Sequence, residues 1–243
     1  MCLLVARLAG SNWLPTEDEF DNAWRRNPDG FGVAYANANG ITVLKTLNAL
    51  EAYQILHSIP ENAPALLHWR MGTHGSVSVG NCHPFKLPKA EGWVGAHHGV
   101  LSIQAKGNLT DSETYFRTLK AAPRIDLIET FLQSTGGGKM AFLHESGEIR
   151  IANESHRDAS WRTKHVWQSN DSLDGPSAFW GFGAKHSLAW EHASECDYGD
   201  SALEIAGFQR LKCDFCGISR VHFLSPKGDF LCEDCAEDAA DMT

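Results

Sequence analysis

The residue with the most distinctive chemistry in this 243-residue chain is Cys2, which directly follows Met1. Because the side chain of Cys2 is small, aminopeptidases can remove Met1, and Cys2 would then carry a free α-amine beside its thiol. An α-amine has a pKa of roughly 7.7–8.0 and a thiol a pKa of about 8.5, so the amine can accept the thiol proton near neutral pH. One residue would then supply the nucleophile and the general base of an amide-cleaving reaction. On position alone, the alternative is a small apolar residue that begins a buried strand.

A second distinctive group is formed by four cysteines near the C-terminal end. Fifteen residues separate the pair Cys213 and Cys216 from the pair Cys232 and Cys235. Two such C-x-x-C turns present four thiolates to a tetrahedral ion, and this spacing is typical of a zinc site. Disulfide bonds and an iron-bearing, rubredoxin-like site are the alternatives. From residue 213 onward there are seven acidic residues against two basic ones. We therefore expect this unit to contact another protein or to clamp the C-terminus of the main domain, rather than to bind nucleic acid.

Four short polar motifs follow Cys2 along the chain. They lie at residues 68–75 (HWRMGTHG), 81–84 (NCHP), 96–101 (AHHGVL) and 110–113 (TDSE). Within these motifs, Arg70 can donate two parallel hydrogen bonds to a carboxylate, and Asp111 can accept from an ammonium group. Such a pair suits an amino-acid substrate, which carries both charges. The alternatives are a surface ion pair for Arg70 and a helix N-cap for Asp111.

The order and spacing of these motifs behind an N-terminal cysteine resemble those of class II glutamine amidotransferases. The resemblance covers about residues 2–155 and includes residues 27–34 (NPDGFGVA), which are similar to the turn and strand after the first helix of that family. It implies an α+β N-terminal-nucleophile hydrolase fold, in which two antiparallel sheets are stacked between helical layers (αββα). It also implies hydrolysis of the glutamine side-chain amide through a thioester on the cysteine. The glutamine-binding residues that the resemblance implies are Arg70, Thr73, His74 and Asp111.

The chain departs from the family at His98. In the family, an asparagine side chain and the backbone N–H of the next glycine stabilise the oxyanion that forms during amide cleavage. Here Gly99 is present, but His98 stands at the asparagine position. Loss of one such donor typically costs about 3–4 kcal/mol of transition-state stabilisation. The open alternatives are that His98 donates instead, that another side chain supplies the donor, that the site is slower, or that the substrate is a different amide.

Hydrophobic patterning predicts the elements that must position these residues. We expect one helix that begins after a capping box at Thr16 and ends before Pro28, and further helices at residues 49–59, 111–121 and 124–134. We expect strands at residues 2–7, 31–36, 41–47, 65–70, 93–97, 139–144 and 148–152. A polar loop is expected at residues 71–92, and short strands and loops at residues 153–198. Because the strands form hairpins and the helices come in pairs, the pattern favours an antiparallel α+β architecture over a doubly wound parallel sheet.

Composition narrows the class of protein and its partners. The formal net charge of −9 argues against a protein that binds nucleic acid by neutralising phosphates. No apolar run reaches the roughly 20 residues that span a bilayer, and no export signal is recognisable, so we expect a cytoplasmic protein without membrane contact. We expect a main domain at residues 2–205 and a zinc-binding unit at residues 206–243. The expected partners are glutamine or a related amide and a protein that carries the ammonia acceptor.

Two other functions remain open at this point. One is an N-terminal-nucleophile amidase that acts on another γ-glutamyl or peptide-like amide, with His98 marking the changed specificity. The other is a catalytically silent relative that serves as a binding or assembly module through its zinc unit. Removal of Met1 and reaction of Cys2 with a glutamine-like electrophile distinguish these classes.

Overall fold

A computed structural model describes residues 2–72, 76–107 and 109–174, together with the backbone of residues 223–224 and 230–231. Its strands are β1 (Leu3–Arg7), β2 (Phe31–Asn37), β3 (Gly40–Thr46), β4 (Ala65–Trp69), β5 (Phe85–Lys86), β6 (Trp93–His98), β7 (Lys139–His144), β8 (Ile149–Ala152), β9 (Ser160–Thr163), β10 (Val166–Gln168), β11 (Phe223–Leu224) and β12 (Phe230–Leu231). The helices are α1 (Glu17–Arg26), α2 (Ala49–His57), α3 (Asp111–Phe116) and α4 (Ile125–Ser134), and a short 3-10 helix covers Val79–Asn81.

Two antiparallel sheets form the centre of the fold. The first has six strands in the order β3-β2-β4-β1-β10-β9, and the second has four strands in the order β5-β6-β7-β8. A separate hairpin pairs β11 with β12. The prediction of an antiparallel α+β architecture is therefore confirmed for the part of the chain that the structure describes.

The two sheets pack against each other through small and branched side chains. Leu4 and Leu66 of the first sheet share a buried cluster with Val94 and Leu143 of the second. Since side chains alternate along a strand, the neighbouring residues of β1 and β4 point to the opposite face of their sheet. There, the ring of Phe20 on α1 lies 6.1 Å from that of Trp69 on β4, and α2 contacts β2 and β3.

The outer face of the second sheet is also covered by helices. The rings of Phe116 on α3 and Phe142 on β7 lie 5.7 Å apart. Ile128 and Leu132 of α4 belong to the same buried cluster. Helices therefore flank the outer faces of both sheets, and the apolar interiors on either side hold the strand ends in fixed positions.

Pairing between the strands brings the predicted site residues to one edge of the fold. In the β1–β4 pair, Leu3 lies opposite Trp69, so the residues just outside this pair, Cys2 and Arg70, are neighbours. Strand β6 ends at His98, which pairs with Lys139 on β7. The start of β1 and the ends of β4 and β6 thus meet near the start of α3.

The structure differs from the predicted elements at two places. Helix α3 ends at Phe116 rather than at residue 121, because the N–H of Thr118 bonds to Tyr115 O at 2.8 Å, a tighter i→i−3 bond that closes the last turn. The loop predicted at residues 71–92 contains the 3-10 helix and β5, which pairs with β6. The predicted domain boundary near residue 205 and the four cysteines 213, 216, 232 and 235 lie outside the described residues.

Among the described residues, no helix has the length and apolar character that crossing a lipid bilayer requires.

Candidate active site

The thiol of Cys2 lies against the segment that follows β4. Its Sγ accepts a hydrogen bond from Met71 N at 3.4 Å and lies 3.5 Å from Met71 O. Burial raises the pKa of the Cys2 thiol, while the bond from Met71 and the positive charge of Arg70 oppose this rise. Because burial is the larger effect, the thiol is protonated near neutral pH and requires a base to become a nucleophile.

The main-chain carbonyl of Cys2 is held by two side chains. His98 Nδ1 lies 2.5 Å from Cys2 O, and Asn170 Nδ2 donates to the same oxygen at 2.9 Å. Asn170 comes shortly after β10, in a region where the sequence pattern predicts only short strands and loops. Neither its residue type nor its spacing forms a motif, so no sequence signal marks it as part of the site.

Arg70 is buried at the end of β4 and lines the same cavity as Cys2. Its Nη2 donates to Ser76 O at 2.9 Å, and Asn81 Nδ2 donates to this carbonyl at 3.0 Å. Close to Arg70, the N–H of Gly72 donates to Asp29 Oδ2 at 2.6 Å. The predicted substrate-binding residues Thr73 and His74 lie outside the described residues.

Asp111 occupies the first turn of α3, with its carboxylate fixed by backbone donors. Thr110 is the N-cap, since its side chain accepts from Glu113 N at 3.1 Å. The Asp111 carboxylate accepts from Leu101 N at 2.7 Å and from Ser112 N at 2.8 Å. A carboxylate offers about four lone-pair positions, so it retains capacity for a ligand. Thr110, rather than Asp111, thus fulfils the capping role.

One small cavity joins four of the residues predicted from the sequence. Cys2, Arg70, Gly99 and Asp111 all line it. His98 contacts Cys2 but is not among the described residues that line this cavity. The cavity volume is about 30 Å³, and a single water needs roughly 10–15 Å³ by this measure, so a whole amino acid would extend beyond it.

Four histidines in this region are buried and held neutral by burial, and two of them, His83 and His97, line the cavity. Burial lowers the pKa of His68 to about 3, that of His97 to about 4 and that of His98 to about 3, and it lowers the pKa of His83 well below its usual value. His97 Nδ1 lies 2.9 Å from the hydroxyl of Ser112, which also contacts Asp111. In the described part of the chain, no three His, Cys, Asp or Glu side chains are grouped to hold a metal ion.

Comparison with known proteins gives one curated relative. No family model matches the chain. A protein of Haemophilus influenzae named "Putative glutamine amidotransferase" is 28% identical over 152 residues, which cover 51% of this chain and 51% of that protein. The chain therefore spans about half the length of the curated relative that it matches.

Several solved structures align with part of the chain. Glutamine phosphoribosylpyrophosphate amidotransferase from B. subtilis, complexed with ADP and GMP, gives a TM-score of 0.47 at 15% identity, over 71% of this chain and 42% of that chain. A glutamine aminotransferase class-II domain protein from Silicibacter pomeroyi gives a TM-score of 0.38 at 17% identity, over 69% and 87%. The allosteric regulatory enzyme of purine biosynthesis gives 0.45 at 16% identity, over 71% and 42%. These scores are too low to carry an argument about function.

Proposed function

We propose that this chain is a glutamine amidotransferase of the N-terminal-nucleophile class, which hydrolyses the side-chain amide of glutamine through a thioester on Cys2. The observation that carries the proposal is that Cys2, Arg70 and Asp111 line one cavity, so a thiol, a cation and an anion face the same space. The name of the Haemophilus influenzae relative supports glutamine as the substrate. The layered packing of helices around two antiparallel sheets supports the fold class.

The first step of this reaction is activation of the thiol. Burial raises the pKa of Cys2, and the α-amine that removal of Met1 would expose supplies the missing base. The amine takes the thiol proton, and sulfur attacks the carboxamide carbon of glutamine, whose oxygen becomes an oxyanion. When this intermediate collapses, the C–N bond breaks and the α-ammonium returns its proton to the leaving ammonia. Water then adds to the thioester, releases glutamate and restores the thiol.

The substrate would be held by its amino-acid end. Arg70 binds the α-carboxylate through two parallel donors, Asp111 accepts from the α-ammonium, and Thr73 and His74 add polar contacts. This end of glutamine would extend past the described cavity. Gly99 supplies a backbone donor to the oxyanion. Its φ of 140° and the 3.0 Å that would separate an added Cβ from Gly138 Cα favour glycine at this position.

The nucleophile is tested by intact mass and by product release. We expect the purified chain to lack Met1, to release glutamate and ammonia from glutamine, and to be labelled once by a diazoketone analogue of glutamine. Cys2→Ala should abolish release and labelling, whereas Cys196→Ala, a matched removal of another thiol, should preserve both. Retained Met1, or a Cys2→Ala variant as active as the parent, would overturn the proposal. If Cys2 is labelled but the chain hydrolyses only another γ-glutamyl amide and not glutamine, the protein is a different amidase.

The four cysteines 213, 216, 232 and 235 are proposed to hold one structural zinc ion. Two facts support this: their spacing, and the β11–β12 hairpin, in which Phe223 pairs with Leu231 between the two cysteine pairs. Elemental analysis should find one zinc per chain. Cys216→Ser and Cys235→Ser should lose the metal, while Cys196→Ser should keep it. A folded, metal-free parent would contradict the proposal, and iron in place of zinc would correct the identity of the metal.

The ammonia acceptor is proposed to lie on a partner protein in the cytoplasm, with the zinc unit as the docking surface. The acidic composition of residues 213–243 supports a protein contact rather than a nucleic acid. Zinc-free variants that keep glutaminase activity but lose a co-purifying partner would support this assignment.

A further inference from the structure

Two side chains from distant parts of the chain converge on the main-chain carbonyl of Cys2. His98, at the end of β6, brings Nδ1 within 2.5 Å of this oxygen, and Asn170 donates to it at 2.9 Å. Both side chains are buried. We call this pair the Cys2 clamp. The clamp contacts the backbone of the nucleophile and not its thiol.

The chain around Asn170 is itself held firmly against the start of β1. Ser169 exchanges two hydrogen bonds with Leu4: its N–H donates to Leu4 O at 2.8 Å, and its Oγ accepts from Leu4 N at 2.9 Å. The buried Lys139 donates to Ser169 O at 2.5 Å. Asn170 Oδ1 accepts from Ser172 N at 3.0 Å, which fixes the orientation of the amide. Asn170 is therefore a preorganised donor rather than a mobile surface residue.

The contact also determines which nitrogen of His98 carries the proton. We assign the proton of the neutral ring to Nδ1, because Cys2 O, 2.5 Å away, can only accept, and Ser169 Oγ, 3.1 Å from the same nitrogen, can accept as well. Burial, followed by the positive charge of Lys139, lowers the pKa of His98 to about 3, and the ring is therefore neutral at pH 7. In the neutral ring Nε2 has no proton and cannot donate to an oxyanion. This tautomer assigns His98 a role different from that of the family's asparagine.

We propose that His98 and Asn170 are positioning residues, which hold the carbonyl of Cys2 so that its α-amine and thiol keep a geometry suited to proton transfer. This inference rests on the proposed function, because only removal of Met1 creates the α-amine. Removal of Met1 also takes away the peptide bond on the N-terminal side of Cys2. The carbonyl then becomes the group through which the backbone of Cys2 is held in place. Because His98 is occupied by this contact, the oxyanion would be stabilised by the backbone N–H of Gly99 and not by His98.

The role of Asn170 is tested with Asn170→Ala against a matched control, Asn22→Ala. Asn22 Nδ2 also donates to a main-chain carbonyl, that of Leu173 at 3.3 Å, but does not touch Cys2. We expect Asn170→Ala to lower kcat for glutamine about tenfold with KM changed less than about twofold, because proton transfer and not binding is impaired. Alkylation of Cys2 by iodoacetamide at pH 7, followed by peptide mass spectrometry, should slow by a similar factor. Asn22→Ala should leave both rates within about twofold of the parent.

The role of His98 is tested with His98→Leu and His98→Asn. Leucine retains the branching of the ring at Cγ without a donor, whereas asparagine can place an amide nitrogen at the δ position that Nδ1 occupies. We expect His98→Leu to lose about tenfold in kcat and in alkylation rate, and His98→Asn to recover most of that loss. This pair keeps the inference testable if Asn170→Ala does not fold.

The outcomes separate this inference from the proposed function. If Asn170→Ala matches Asn22→Ala in both readouts, or if His98→Asn is as slow as His98→Leu, the clamp does not position the nucleophile. If the parent releases no glutamate, but alkylation of Cys2 still slows in Asn170→Ala and His98→Leu, the clamp stands and the proposed substrate fails. A rise in KM with unchanged kcat would instead assign these residues to substrate binding and overturn the inference.

Discussion

The thiol and the carbonyl of Cys2 are held by different parts of the chain. Met71, on the segment after β4, contacts the sulfur, and His98 and Asn170 contact the main-chain oxygen. Burial suppresses ionisation of the thiol, which protects it from unselective reaction and makes it dependent on a base. In its proposed role as the nucleophile, Cys2 needs a base within reach, so the position of its backbone matters as much as the chemistry of its side chain.

Arg70 offers the sharpest single-residue prediction, because its proposed role concerns one group of the substrate. Arg70→Lys replaces a planar fork with a point charge and should lower kcat/KM for glutamine by roughly 10- to 100-fold, mainly through KM. The analogue of glutamine that lacks the α-carboxylate should be hydrolysed by parent and variant at rates within about threefold of each other. Steady-state kinetics with both substrates measure this difference.

A matched control for Arg70→Lys is Arg26→Lys. Arg26 forms a partly exposed ion pair with Asp171 at 3.2 Å, and such pairs contribute little to stability, about 0–1 kcal/mol. Arg26→Lys should leave kcat/KM unchanged for both substrates. If Arg70→Lys slows the two substrates equally, Arg70 supports the segment around Ser76 rather than the α-carboxylate.

At the scale of elements, the sequence predicts those that depend on local signals. The capping box of α1 is formed as predicted, since Glu19 N bonds to Thr16 Oγ1 at 3.3 Å and Thr16 N bonds to Glu19 Oε2 at 2.9 Å. The hairpin of β2 and β3 and that of β7 and β8 are confirmed, because apolar runs on either side of a turn specify each of them within one short stretch.

Features that depend on distant partners could not be predicted in this way. Strand β5 has only two residues, and its pairing with β6 is what makes it a strand. Asp29 supports the site through Gly72, 43 residues away, and Asn170 contacts Cys2 across 168 residues. The motifs around Arg70, Gly99 and Asp111 identified one side of the cavity. Asn170, which contacts the main-chain carbonyl of Cys2, belongs to no local sequence pattern from which its role could be inferred.

Gly32 on β2 gives a prediction about how the elements pack. A Cβ at this position would lie 1.9 Å from His83 O, a backbone atom of the segment that precedes β5. Gly32→Ala should therefore destabilise the fold by about 1–3 kcal/mol and lower the thermal midpoint. In Gly80→Ala the nearest atom to the new Cβ is 4.0 Å away, and this control should lie within about 1 kcal/mol of the parent. Equal midpoints for the two variants would show that this segment shifts freely.

For the whole molecule, the four buried histidines couple the fold to pH. Burial lowers the pKa values of His68, His83, His97 and His98, while the unfolded chain binds protons at these residues near pH 6.5. Between these values the unfolded state binds more protons, so the free energy of unfolding falls as pH falls. Stability is fully present above about pH 6.5 and is lost towards pH 3–4.

His68, His97 and His98 should each remove about 1.6 kcal/mol of stability between pH 6.5 and pH 5, and His83 acts in the same direction, so the parent should show a steep drop in thermal midpoint over that range. Scanning calorimetry at pH 7, 6 and 5 measures it.

His83→Phe, which replaces a ring packed 4.7 Å from Phe85, should make the drop in thermal midpoint with pH shallower, because the unfolded variant binds one proton fewer. The partly exposed His156, changed to Phe, controls for loss of a histidine as such. The slopes of thermal midpoint against pH are compared between the parent and each variant. A cost of repacking that does not depend on pH leaves the slope unchanged, and the titration of carboxylates is the same in all three proteins. Equal slopes in the parent and His83→Phe would mean that His83 is protonated within the folded protein, and the burial argument would fail for this residue.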